Sequence, residues 1–139
     1  WTLRRTYPLL GQTLPERQVC DLLAGIALLR RDAPTGPVVL YGQEHTAVLA
    51  VYAALLDPEV SEVILAGLPE SHTDPNTPEF LGVLRVGDLP HNLALLWPRP
   101  ITFIGTVPPA YAYTRQVYEK LGTADRFRVI NNAKAWHPL

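Results

Sequence analysis

The chain of 139 residues has one cysteine, no methionine and no apolar run near the ~18 residues that a membrane span requires. A lone cysteine excludes an internal disulfide and leaves the compartment open; Cys20 stands in an apolar helical register, where a buried structural thiol is expected. The chain opens at Trp1 without a signal-like segment, and because it lacks an initiator methionine something upstream is expected to have been cleaved, trimmed or left out. Charge of one sign is also missing. Twelve basic and thirteen acidic side chains leave a net −1, which sets DNA, RNA and membrane partners aside. No internal repeat, heptad seam or low-complexity tract interrupts the chain.

What is present describes one globular domain over 1–139. Hydrophobic residues make up 47% and charged residues 18%, and a chain of this length buries roughly two-thirds of its unfolded surface. Fourteen prolines predict many loops.

Residues 1–14, with two arginines and a Tyr7-Pro8 break, read as an irregular N-terminal segment. A helix opens at Pro15-Glu16 and keeps an apolar face through Val19, Leu22, Leu23 and Ile26 up to Arg31. Val38 to Tyr41 is a strand, Thr46 to Leu56 a buried helix, and Val60 to Ala66 (VSEVILA) a second strand. A proline-rich loop follows over 67–76, then helical segments near 80–86 and 89–96, the second broken by Pro98 and Pro100. Ile101 to Gly105 is the third strand, Ala110 to Leu121 a helix closed by Gly122, and Phe127 to Ile130 the fourth strand. Strands that alternate with helices predict an α/β fold, a mostly parallel four-stranded sheet flanked by helices on both faces in three αβα layers. The first strand is expected to be a liability, because an uncovered apolar edge invites pairing.

The chemistry-bearing stretch is "VVLYGQEHT", a strand, a sharp turn and a helix start. In many enzymes such a turn carries a nucleophilic serine; its centre here is Glu44, flanked by Gln43 and His45. Glu44, His45, His72, His91 and His137 show no HxxxH or HxH spacing, so no metal is expected. Neither GxGxxG nor GxxxxGK[ST] occurs, and Glu44 would repel an anion from the helix start, so no cofactor is expected. Trp97 and Trp136 are expected to anchor a core; Tyr111, Tyr113 and Tyr118 read as helix packing and surface.

Taken together, "VVLYGQEHT", "VSEVILAGLPES", "DLPHNLALLWPRPITFIGT" and "YTRQVYEKLGTADRFRVIN" resemble the second half of an α/β-hydrolase domain of the acetyl-xylan-esterase-like and prolyl-oligopeptidase-like branch. The most specific piece is Asp88-Leu89-Pro90 followed by Leu95-Leu96-Trp97-Pro98-Arg99-Pro100, and the resemblance covers roughly residues 3 to 137. It implies that the four strands correspond to the family's fifth to eighth, in sequential spatial order. It also implies that the edge of the first strand is exposed, or covered by an N-terminal segment or a second copy in a homo-oligomer.

Residue by residue, the resemblance implies a degenerate site. Against G-x-S-x-G, Gly42 matches the first glycine, Glu44 replaces the serine and Thr46 the second glycine. Aspartate is a nucleophile at this turn in haloalkane dehalogenases and epoxide hydrolases, but glutamate is a methylene longer and puts its oxygen elsewhere. The loop Gly105-Thr106-Val107-Pro108-Pro109, where the family's acid sits, has no carboxylate, and Asp74 beside Pro75 reads as a turn former. His137 falls near the family's histidine position, without the glycines that bend that loop. A buried Glu44 would need a donor such as His137 or Lys134.

The expected function is therefore a catalytically degenerate, esterase-derived α/β-hydrolase-like domain with a structural, binding or assembly role. No residue is assigned to catalysis. Gly42, Gln43, Glu44, His45 and His137 are expected to line a crevice at the carboxyl ends of the strands, open to a small-molecule ligand. One alternative is part of an active carboxylic-ester hydrolase completed by a missing segment or partner. The other is a flavodoxin-like small-ligand-binding module.

Overall fold

The structure, a computed structural model, describes the backbone of residues 2–137 and the side chains of residues 6–137. Contrary to expectation, the N-terminal segment contains a helix, α1 (Thr2–Leu9). Pro8 lies in its last turn, where the missing N–H removes a single intrahelical bond. Thr13 then opens α2 (Leu14–Asp32) through a capping box: its hydroxyl accepts from Glu16 N at 3.3 Å, and Glu16 Oε2 accepts from Thr13 N at 2.7 Å. Val19 and Ile26 bury the inner face of α2. Cys20, turned about 100° from Val19 around the helix, is exposed, which corrects the expectation of a buried thiol.

After β1 (Val38–Gln43) comes α3 (His45–Leu56), apolar on every side because the sheet lies beneath it and α2 packs against it. The chain continues through β2 (Val60–Ala66), α4 (Leu89–Ala94), β3 (Ile101–Ile104), α5 (Ala112–Lys120) and β4 (Phe127–Ile130). The helical segment expected near 80–86 is one 3-10 turn, Val83–Arg85, with none of its residues buried. Gly82 enters it in the left-handed region, and without an apolar face against the core a longer helix has nothing to stabilise it.

The strands form one all-parallel sheet in the order β1-β2-β3-β4. The α/β class predicted from the alternation of strands and helices is the observed one. In this order right-handed crossovers carry α3, α4 and α5 to the same face. That face presents Leu40, Val63, Leu65, Ile101 and Phe103, and Phe103 packs on Tyr111 and Phe127. By strand alternation the other face presents Val39, Tyr41, Glu62, Ile64, Thr102 and Arg128. The C-terminal segment covers part of it: Trp136 Nε1 donates to Glu62 Oε1 at 3.0 Å, and Arg128 donates to the His137 carbonyl at 2.8 Å. Glu62 is only 3% exposed, yet Thr102 Oγ1 at 2.6 Å and Arg128 also donate to it, so its charge is answered on all sides.

Residues of the most specific sequence stretch hold the scaffold. Asp88 caps α4 by accepting from Leu89 N at 2.8 Å. Arg99 donates to the Ala54 and Asp57 carbonyls at 2.5 and 2.9 Å, closing the C-terminal end of α3, and its own carbonyl accepts from Tyr118 OH at 2.7 Å. Tyr111 and Tyr118 are fully buried, whereas Trp97, expected in the core, is 40% exposed and donates to Thr123.

Candidate functional site

β1 meets α3 in a turn too tight for ordinary backbone. Glu44 has φ 50° and ψ −115°, the only positive φ of a non-glycine residue among those described. Such a conformation costs about 1–3 kcal/mol and persists only where its surroundings enforce it. Two glycines enforce it here. A Cβ on Gly42 would lie 2.5 Å from Ala47 Cα and from the Thr46 carbonyl oxygen, so only glycine lets strand and helix approach so closely. A Cβ on Gly67, at the end of β2, would lie 3.3 Å from Glu44 Cγ. Glu44 N donates to the Ala66 carbonyl at 2.8 Å, extending the β1-β2 ladder by one rung into the turn.

Thr46 secures the turn from the helix side, its hydroxyl accepting from Gln43 N and donating to Gln43 O, both at 2.9 Å. This occupies the hydroxyl with the backbone. Glu44 is exposed, and its carboxylate has no hydrogen bond or ion pair among the described residues. Neither His137 nor Lys134 serves as its donor, and the carboxylate lies on the surface.

His45 turns toward α2 and its Nε2 donates to Gln18 Oε1 at 3.2 Å. Both line a cavity of about 260 Å³ whose walls are the start of α2 (Thr13, Leu14, Pro15) and the loop from Pro75 to Glu79. Gly42, Gln43, Glu44 and His45 are thus contiguous at the carboxyl end of β1, with His45 reaching the cavity. His137 follows β4, at the opposite edge of the sheet from β1, exposed and tied to Arg128 through its carbonyl. Asp74 is a turn former, its Oδ2 accepting from Glu70 N at 3.0 Å and Ser71 N at 3.1 Å. His91 packs on Tyr113. Among the described residues no three His, Cys, Asp or Glu side chains gather in a way that could hold a metal ion.

One polar cluster escaped the sequence reading. Ser71 Oγ donates to Asp88 Oδ2 at 2.5 Å, and His72 N donates to Asp88 Oδ1 at 2.7 Å. Tyr52 OH bonds His72 Nε2 at 2.6 Å and accepts from Asn92 Nδ2 at 2.8 Å. Since Asn92 supplies the donor to the phenol, the phenol's proton goes to His72 Nε2, and the imidazole carries its own proton on Nδ1. That atom is buried without a well-formed hydrogen bond, although the Pro78 carbonyl is near enough to favour the proton. Burial lowers the His72 pKa, and it pushes the Tyr52 phenol up to about 12. Burial also opposes the Asp88 carboxylate, but hydrogen bonds from Ser71 and from the His72 and Leu89 amides hold it below its usual range.

Serine, histidine and aspartate therefore gather here with the composition of a triad but not its connectivity, because the serine proton is given to the aspartate. The one sequence signal for this cluster was Asp88 before Leu89-Pro90, a helix N-cap pattern. Compared with protein-family models, with curated proteins and with solved structures, the chain finds no match.

Proposed function

We propose that the chain is a catalytically degenerate, esterase-derived α/β-hydrolase-like domain that binds a small molecule beside the turn at Glu44. The observation that carries this reading is the backbone of Glu44. A residue at φ 50° and ψ −115° between strand and helix is the strained elbow that exposes a nucleophile in an active hydrolase, kept here by Gly42 and Gly67 around a side chain that is no hydroxyl. Its carboxylate has no imidazole beside it, and the neighbouring His45 is engaged by Gln18. The cavity reached by His45 offers amide, hydroxyl and imidazole groups between proline walls, together with the Glu79 carboxylate, a lining suited to a polar ligand that can donate hydrogen bonds.

A second reading, part of a carboxylic-ester hydrolase completed by another polypeptide, draws on the same turn. Its strain has been retained and the Glu44 carboxylate stands exposed and unpaired.

Hydrolysis of a short-chain chromogenic ester separates the two. The purified chain is expected to be inactive, as are Glu44→Ala and Glu44→Ser. Activity in the parent that vanishes in Glu44→Ala would overturn the degenerate reading and give Glu44 a chemical role.

A further inference from the structure

The loop that walls the His45 cavity is fastened to the helices beneath it at few points. At one end Asp88, which caps α4, accepts from Ser71 Oγ and the His72 amide at 2.5 and 2.7 Å. At the other, Glu16 Oε1 on α2 accepts from Leu81 N at 2.8 Å. Between these anchors, among the described residues, no hydrogen bond joins residues 73–80 to an α-helix. They bond within their own turns: Asp74 N to Ser71 O, Thr77 N to Asp74 O and Thr77 Oγ1 to Ser71 O. What holds this stretch down on α3 is the bond between Tyr52 OH and His72 Nε2 at 2.6 Å, with the Phe80 ring packed 4.4 Å from that of Tyr52. Pro75 to Glu79, the cavity wall, lie within it.

That bond has a fixed direction. Asn92 Nδ2 donates one hydrogen to the Gly87 carbonyl at 2.8 Å, which sets the orientation of the amide, and the other to Tyr52 OH at 2.8 Å. The phenol therefore gives its own proton to His72 Nε2, and Nε2 must accept. A second proton on the imidazole would set N–H against a phenol that has no other acceptor for its hydrogen among the described residues. The titratable and charged groups facing His72 are Tyr52 from α3, Asp88 from the start of α4, and Glu79 and Arg85, which line a second cavity of about 290 Å³ with it. Asp88 favours an imidazolium, but it bonds the His72 amide rather than the ring, and its oxygens already hold Ser71 Oγ and the Leu89 amide. Glu79 and Arg85 carry opposite charges and are exposed.

We propose that the bond between Tyr52 and His72 is a proton-released latch on the wall of the His45 cavity: it holds the wall down while His72 is neutral, and uptake of one proton at Nε2 breaks it. The proton comes from water, the phenol keeps its own and turns it to water, and no covalent bond changes. Residues 73–80 then lift from α3, carrying Phe80 away from Tyr52, while the anchors at Asp88 and Glu16 act as hinges. In the open loop His72 takes its proton at the ordinary value of 6.5, so each pH unit below that favours opening by about tenfold, until the closed form is protonated too. That this wall bounds a ligand site rests on the function proposed above; the latch itself belongs to the chain and works without a ligand.

Nuclear magnetic resonance of the purified, ligand-free chain, followed from about pH 7.5 into the acid range, tests this. At the start the His72 ring is expected to be neutral with its proton on Nδ1, and proton–proton contacts are expected between Phe80 and Tyr52. As His72 titrates those contacts are expected to vanish, while contacts between Phe103 and Phe127 in the core persist. Tyr52→Phe removes the phenol that demands an accepting Nε2, and its His72 is expected to titrate closer to 6.5, a change that burial alone does not produce. An unchanged titration in that variant overturns the proposal. On the parent chain, so does a proton on Nε2 at the start, a ring that titrates with the Phe80 contacts intact, or one that takes no proton before the core contacts are lost as well. These parent readouts decide the matter even where Tyr52→Phe does not fold. No ligand enters the measurement, so a failure of the function proposed above leaves its outcome unchanged.

Discussion

Gly42 and Ala47 approach so closely that a Cβ on the first would lie 2.5 Å from the Cα of the second. The contact is backbone against backbone, with no flexible side chain to move aside. Gly42→Ala is therefore expected to destabilise the chain by about 3 kcal/mol, at the upper end of ordinary overpacking. Urea unfolding followed by far-ultraviolet circular dichroism checks this; a loss of only a few tenths would mean that strand and helix separate easily.

Glu44 presents the opposite case. Its backbone is strained and its side chain has no partner, so Glu44→Gly relieves strain at no cost in contacts. Stability is expected to rise by about 1 kcal/mol, the gain from strain less the added entropy of glycine in the unfolded chain. A loss of stability in the same urea experiment would mean that the carboxylate contributes an interaction of its own.

Glu62 is held by Thr102, Arg128 and Trp136 at a site only 3% exposed. Glu62→Ala leaves the Arg128 guanidinium without its counter-charge and is expected to cost about 3–5 kcal/mol. Trp136→Phe removes a single donor and is expected to cost about 1 kcal/mol. Tryptophan fluorescence of the two variants distinguishes release of the C-terminal segment from general unfolding.

His72 couples stability to pH. Its folded pKa lies below the ordinary value of 6.5, burial being the main cause, so the unfolded chain takes up the proton first as pH falls. Stability from this group is complete above about pH 6.5 and is lost as pH falls from there toward the folded pKa. His72→Phe is expected to flatten the slope of unfolding free energy in that window, leaving only the carboxylate-driven loss at lower pH. An unchanged slope would place the titration elsewhere.

The strands were legible because each is a short run of β-branched and apolar residues bounded by glycine, proline or aspartate; VSEVILA and ITFI agree with the observed strands almost residue for residue. α2 was legible from its capping residues and its apolar period. α1 was not, because Pro8 reads as a breaker unless its place in the last turn is known. Residues 80–86 misled in the other direction: their leucines and valines have helical spacing, but Leu84 and Val86 are exposed and face no core. Cys20 was misplaced by a single position of helical phase.

At the candidate site, local sequence announced the turn, since a glycine at the end of an apolar strand and a helix expected from Thr46, four residues later, leave few conformations for what lies between. Whether Glu44 was buried or free, and whether His137 came near it, depended on how β4 and its tail lie across the sheet. The Tyr52, Ser71, His72, Asp88 and Asn92 cluster joins residues up to 40 apart in the chain, and Glu62 meets Trp136 from 74 residues away. Local composition and period decide which backbone states are cheap, and so they settled the elements and the tight turn in advance. Partnership among polar groups is decided by sheet order and crossovers, which bring distant residues to one place, and that required the folded chain.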